Sequence, residues 1–242
     1  MALNWVNYLS MIVGVLNFVF AMVITIIVLK RDHREKINWL FASSFFFIAI
    51  AYVFLPLGAF TYTPENPELM VLLTKVYALF FFLGILMLMW RAIAFNYGTR
   101  FVFRWYFVLA SVASYIVIGL LVFLLNNPEG KWYSLRANPA GGADTQMSLN
   151  FMLIFYPIIA VMGIVIFVYF IRAYKQTTDE AIRKSMKYFI AGLSIAVSMI
   201  IPNILSNALA DVWDQAQILN GIEFILITIG VGIMAVGFLI KP

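Results

Sequence analysis

Seven long, almost uninterrupted apolar runs dominate the chain, at 8–29, 37–57, 67–91, 101–125, 149–171, 186–210 and 217–240. A helix rising about 1.5 Å per residue needs about 20 such residues to cross a hydrocarbon core of about 30 Å. The runs are continuous rather than alternating, so they read as helices and not as the strands of a membrane β-barrel. Of the 242 residues 64% are hydrophobic and 11% charged, against about a quarter charged in soluble domains. A soluble enzyme, a nucleic-acid-binding domain and a disordered regulator are thereby excluded. The expected fold is an all-α integral membrane protein, one bundle of seven transmembrane helices spanning 1–242 with no soluble domain.

Local signals agree with these limits. Asn66, Pro67 and Glu68 suit the start of the third helix, as cap, first position and acidic first turn. Thr177-Thr178-Asp179-Glu180 reads as a capping box before the sixth. Asn96-Tyr97-Gly98 marks a tight turn, and the Gly, Pro and Asn content of 126–147 marks a loop.

Orientation follows from the basic residues. All but Lys75, Lys131 and Arg136 of the 16 lysines and arginines fall on one side of the spans. Cytoplasmic connections hold such an excess, so the N-terminus is expected outside and the C-terminus inside, in a multi-pass protein of the cell membrane. The first run lacks the basic flank and cleavage site of a signal peptide and reads as an uncleaved anchor. Trp5, Tyr8, Tyr62, Trp132, Tyr133 and Trp213 are placed for an outer aromatic belt, and Trp39, Trp90, Trp105 and Tyr174 for an inner one. The net charge of +5 is thus a topology signal first and a lipid-contact signal second, with no nucleic-acid partner implied.

Chemistry is restricted as well. With no cysteine and a single histidine, His33, the chain lacks the ligands for a thiolate, iron–sulfur or multi-histidine metal site. No dense set of catalytic polar residues lies near either surface, so neither enzymatic activity, a cofactor nor a metal is expected. His33 sits among charges and reads as a solvated loop residue.

Polar side chains inside spans are costly and each requires an explanation. Glu223 lies about 9 Å into the seventh helix, on a face shared with Asn220, Gly230 and Gly237. Lys75 lies about 12 Å into the third helix from the same side, and Asn203, beside Pro202, is at similar depth in the sixth. Pro202 itself reads as a kink. Gly192, Ala196, Asn203, Asn207 and Ala210 share one face, and Asn7, Ser10, Gly14, Asn17 and Ala21 form a matching stripe in the first helix. Asn17, Lys75, Asn203, Asn207 and Glu223 are therefore candidates for a polar pocket open to the outside. The alternative is an ion pair between Lys75 and Glu223 that, with amide hydrogen bonds, holds helices together. At the opposite side Arg172, Lys175, Arg183, Lys184 and Lys187 form a basic hairpin. It is either a lipid-touching end or a docking surface for a partner.

The seven-span topology is similar to that of microbial rhodopsins and G-protein-coupled receptors, but the seventh run has no lysine before Lys241 to form a retinal Schiff base. A closer likeness is carried by Arg172-Ala173-Tyr174, a short polar turn, and Arg183-Lys184-Ser185-Met186-Lys187-Tyr188-Phe189-Ile190-Ala191-Gly192. This segment resembles the seven-helix N-terminal sensor region of some bacterial and archaeal histidine kinases, as does the terminal Gly-Phe-Leu-Ile-Lys-Pro. Such proteins continue into cytoplasmic signalling domains, whereas this sequence ends at Pro242. The resemblance implies sensing and signal transduction.

The expected function is a non-enzymatic, receptor-like protein that binds a small amphiphile or lipid from the outer side and signals through a membrane or cytoplasmic partner. One rival is a small transporter or proton-coupled carrier using Glu223. The other is a structural subunit of a larger membrane complex, or an oligomer of this chain. A reporter fused after Pro242 is expected in the cytoplasm, and a tag at Gly141-Gly142 is expected to be reached from outside intact cells. The opposite labelling would overturn the assignment from basic residues.

Overall fold

The computed structural model describes residues 5–31, 33–61, 67–123, 126–127, 130–131, 133–137, 143–147, 149–209 and 213–239. Asn66, Tyr62, Trp132, Gly141, Gly142, Ala210 and Lys241 lie outside the described residues. The elements run in the order α1 (Trp5–Arg31), α2 (Lys36–Thr61), α3 (Pro67–Tyr97), α4 (Thr99–Val102), α5 (Trp105–Phe123), β1 (Asn126–Asn127), β2 (Gly130–Lys131), β3 (Tyr133–Ala137), β4 (Ala143–Met147), α6 (Leu149–Gln176), α7 (Glu180–Val197), α8 (Ile200–Ala208) and α9 (Trp213–Leu239). Among the described residues, seven helical segments, with α7 and α8 counted as one, are long and apolar enough to cross a membrane. The protein is therefore a multi-pass membrane protein with an all-helical spanning part.

The helices exceed the apolar runs at several ends. α3 continues six residues past Arg91 to Tyr97, because Ala92-Ile93-Ala94-Phe95 keeps the helix apolar beyond the charge. Gly98 then turns the chain at φ 80°, where a side chain would be strained. The sixth span breaks at Ser198 and Met199, between α7 and α8. Pro202 is the cause, since it has no N–H for the Ser198 carbonyl and its ring crowds that group. The N–H of Ile201 bonds the Ser198 carbonyl at 3.3 Å instead, and the N–H of Asn203 resumes the regular ladder to Met199 at 3.1 Å. At the start of α7, Asp179 is the cap and accepts from the Ile182 N–H at 3.0 Å. The expected box thus reduces to one capping bond.

The connection at 126–147, read as a loop, instead holds two antiparallel ladders, β1 with β2 and β3 with β4. In the second, Tyr133 pairs with Met147 and Leu135 with Thr145. Tyr and Thr suit a pleated strand.

Neighbouring helices form the ring α1, α2, α3, α6, α7 with α8, and α9, which closes on α1; α5 packs outside α3. Arg31 of α1 donates to the Phe238 carbonyl at the end of α9 at 2.6 Å, so α1 and α9 share an end. We call it the basic end, and the opposite one the ladder end. Small residues set the closest approaches. Gly14 of α1 faces Pro56 of α2, and Gly84 of α3 faces Ile48 and the Ser44 carbonyl of α2. Gly192 and Gly230 bring α7 and α9 backbone to backbone; a Cβ on Gly230 would lie 2.6 Å from the Gly192 carbonyl oxygen and 2.7 Å from the Ala196 nitrogen. One apolar cluster joins α1, α2, α3, α6, α7 and α9, and a second joins α2, α3, α4, α5 and α6.

The belt residues divide. Trp5 and Tyr8 at the ladder end, and Trp39 and Trp105 at the basic end, are exposed as expected. Trp90 is not at the surface; it is buried, and its Nε1 donates to Ser111 Oγ of α5 at 2.8 Å. Its indole finds a partner inside because α3 runs on past it.

Gly230→Ala is expected to destabilise the protein by about 1–3 kcal/mol, the usual cost of overpacking. Gly119→Ala, where a Cβ meets nothing within 4 Å, is expected to be neutral or to stabilise by up to about 1 kcal/mol. Thermal unfolding of both variants in one detergent measures the difference.

Candidate functional site

Three of the five pocket candidates converge in the ladder half of the bundle. Glu223 on α9 and Asn203 on α8 face each other, and Asn203 Nδ2 donates to Glu223 Oε2 at 2.7 Å. Asn207, one turn on, donates through Nδ2 to the Asn203 carbonyl at 2.9 Å and reaches Asn203 Oδ1 at 3.4 Å. Tyr156 of α6 donates its hydroxyl to the same Asn203 Oδ1. Asn203 therefore ties α6, α8 and α9 together. A turn away, Ser206 donates to Asn220 Oδ1, which links α8 to α9 a second time.

Asn17 and Lys75 are held elsewhere. Asn17 is fully buried on α1 and donates to Thr228 Oγ1 of α9 at 3.3 Å, while its Oδ1 has no hydrogen-bond partner. Lys75 shares a face of α3 with Leu79, Phe82 and Leu86. Its Nζ stands 5.8 Å from the centre of the Phe123 ring on α5. The two candidates thus sit at the α1–α9 and α3–α5 seams respectively.

Beneath the Asn203–Glu223 cluster, toward the basic end, lies an apolar cavity of about 270 Å³. It is enclosed by α2, α3, α6, α7, α8 and α9, with Phe45, Ile48, Phe81, Leu193 and Val231 among its walls. The cluster caps it by helical spacing. Tyr156 precedes the lining residues Ile159 and Ala160 by one turn, Asn203 follows Met199 and Ile200 by one turn, and Glu223 precedes Ile227 by one turn.

Tyr52 is the polar exception among the walls. It is 1% exposed, packs edge-on against Tyr77 with ring centres 5.9 Å apart, and lies within electrostatic reach of Glu223. Its hydroxyl meets that of Tyr77, outside the geometry of a well-formed hydrogen bond. A guest that offers this hydroxyl a well-aligned partner would strengthen its hydrogen bonding.

The cavity reaches the bundle surface between α6 and α7. Ile164 lines it and is still 62% exposed, and Gly163 beside it leaves space where a side chain would stand. In a spanning helix such exposure faces lipid. The gap is a lateral mouth bounded on α7 by Ala196.

At the basic end Arg172, Lys175, Arg183, Lys184 and Lys187 are all exposed on the hairpin of α6 and α7. Arg183 lies over the Tyr174 ring at 5.0 Å. Thr177 turns the chain by bonding the Ala173 carbonyl through both its N–H and its hydroxyl.

Tyr52, Tyr156 and Arg91 are absent from the candidates drawn from the sequence. A tyrosine inside an apolar run carries little signal, because either end of its ring can meet lipid or protein. Arg91 reads as a flank of the third span unless the apolar residues after it are counted. A comparison with known protein families finds no match to this chain, and a comparison with curated sequences finds none either.

The Asn203–Glu223 contact generates a prediction. Asn203→Leu and Glu223→Gln are each expected to lower stability by about 1–2 kcal/mol or less, the range for polar contacts between membrane helices. The double variant is expected to lose less than the sum, since both remove one interaction. Strict additivity in thermal unfolding would show that the pair contributes no coupling.

Proposed function

We propose that the protein is a non-enzymatic, receptor-like membrane protein that binds a lipid-borne amphiphile. The polar end of the guest sits at Tyr156, Asn203 and Glu223, within reach of Tyr52, and its apolar body fills the cavity below. In this reading the N-terminus is outside, so the cluster lies in the outer half of the membrane and the guest enters sideways through the gap at Gly163. The carrying observation is a polar cluster set directly on an apolar cavity whose wall holds the buried Tyr52 hydroxyl. Pockets that bind small molecules have this composition, mostly apolar with a few convergent polar groups.

The output in this proposal is a change in how α7 lies against α6, passed to a partner through Arg172, Lys175, Arg183, Lys184 and Lys187. The broken sixth span and the gap beside α6 support it, because a filled and an empty cavity favour different packings there. A guest shifts such an equilibrium only by its difference in affinity for the two states. The likeness of the hairpin to histidine-kinase sensor regions points to the same kind of output.

Mass spectrometry of organic extracts tests the reading. Protein purified from its native membranes in a neutral detergent is expected to carry a near-stoichiometric amphiphile. Gly163→Phe, which projects a ring into the open mouth, is expected to lose it while keeping its thermal stability. Equal amounts in both proteins would overturn the reading. Proton flux in liposomes that depends on Glu223 would favour a carrier instead. Fixed-stoichiometry partners without any amphiphile would favour a subunit of a complex.

A further inference from the structure

A second cavity, of about 310 Å³, opens at the basic end between the ends of α1 and α9, the starts of α2 and α7, and the middle of the α3 and α6 basic halves. Its walls are largely aromatic, with Phe41, Phe95, Phe170 and Phe189. Among the described residues its charged members are two arginines, Arg31 and Arg91.

Arg91 is the unusual group. It is 8% exposed, and its guanidinium carbon lies 3.7 Å from the centre of the Phe95 ring and 5.4 Å from that of Phe41. The rings hold the flat guanidinium by its faces. They leave two of its three nitrogens unserved, since Nε and Nη1 have no hydrogen-bond partner. Removing one partner from a buried ion pair is severely destabilising, because a charge is left uncompensated. Buried donors of this strength are otherwise almost always satisfied.

Among the described residues the chain offers no occupant of its own. Glu35 is the acid whose charge reaches Arg91, yet it is exposed in the turn before α2 and, among the described residues, makes no ion pair with it. Arg31 adds positive charge rather than relieving it, with Nη2 committed to the Phe238 carbonyl. Arg91 lies about 9 Å from the end of α3 at Tyr97, close to where lipid headgroups meet the hydrocarbon.

We propose that this cavity is a phosphate site, in which Arg91, assisted by the positive field of Arg31, binds the phosphate of an anionic phospholipid or a free phosphate. Arginine donors and phosphate oxygens form charge-assisted bonds about twice as strong as neutral ones. The aromatic walls suit the glycerol and first methylenes of a lipid. Ala181, Ile182 and Ser185 at the start of α7 also line the cavity. An occupant therefore clamps the basic hairpin to α1 and α3, which makes the position of the hairpin sensitive to anionic lipid or phosphate. The site is separate from the amphiphile cavity and stands or falls without it.

Thermal unfolding of the whole chain in a neutral detergent tests the site with two pairs of probes. Dioleoylphosphatidylglycerol is titrated against dioleoylphosphatidylcholine, and sodium phosphate against sodium chloride at equal ionic strength. A saturable rise in Tm is expected with at least one phosphate probe. Arg91→Met is expected to weaken the apparent affinity by about tenfold or more, as for the loss of a charged hydrogen bond. Arg104→Gln, which removes an exposed charge at the same end, is expected to leave it unchanged. A response to the phosphatidylglycerol alone identifies a lipid headgroup, and a response to sodium phosphate alone identifies a soluble anion. If Arg91→Met does not fold, Ala181→Phe, which fills the mouth from the hairpin side, is expected to give the same loss. No saturable response, or equal losses in Arg91→Met and Arg104→Gln, would overturn the proposal.

Discussion

The contact of α7 with α9 at Gly192 and Gly230 organises the rest of this bundle. In lipid there is little hydrophobic gain from bringing two apolar helices together, so close backbone approach and its dispersion contacts decide which helices pair. Three glycines, at 192, 230 and 237, let α9 hold α7 along most of its length. α7 packs more extensively against α9 than against α6 as a result. The poorly filled space has to fall on the α6 side, and both the apolar cavity and its mouth at Gly163 lie there.

Polar groups inherit their positions from the same arrangement. With α8 continuing α7 past the Pro202 break, Asn203 comes to rest against Glu223 and within reach of Tyr156. Asn203 serves one acid, one hydroxyl and, through its carbonyl, one amide. Such a hub is economical in a membrane, where water is not at hand to satisfy a carboxylate and an unpaired one is expensive. The cavity wall differs, because the Tyr52 hydroxyl meets Tyr77 among apolar neighbours rather than a comparable hub.

Much of this architecture is legible in the residues. Seven apolar runs are enough for seven spanning helices, since length and hydropathy alone set whether a helix can cross. Helical spacing is enough to place Asn220, Gly230 and Gly237 on the buried face of α9 and Ser10, Gly14 and Asn17 on that of α1. The convergence of Asn203, Asn207 and Glu223 is also foreseeable from depth. Trp90 shows the limit of such reasoning. Its position near an apparent helix end suggests a belt, and only the continuation of α3 and the approach of Ser111 turn it inward.

What the chain determines by itself is whatever depends on one helix at a time: span number, helix breaks at Pro202 and Gly98, and the small or polar character of each face. What only the tertiary structure decides is which faces meet. Asn17 and Lys75 have the same depth and polarity as Asn203, but they rest on Thr228 and the Phe123 ring because α1 adjoins α9 and α5 adjoins α3. Arg91 is likewise an ordinary flanking arginine in the sequence, and a buried cation between Phe41 and Phe95 in the bundle. The physical reason is that helical periodicity sets direction around one axis, whereas partner choice depends on how closely two whole surfaces can approach.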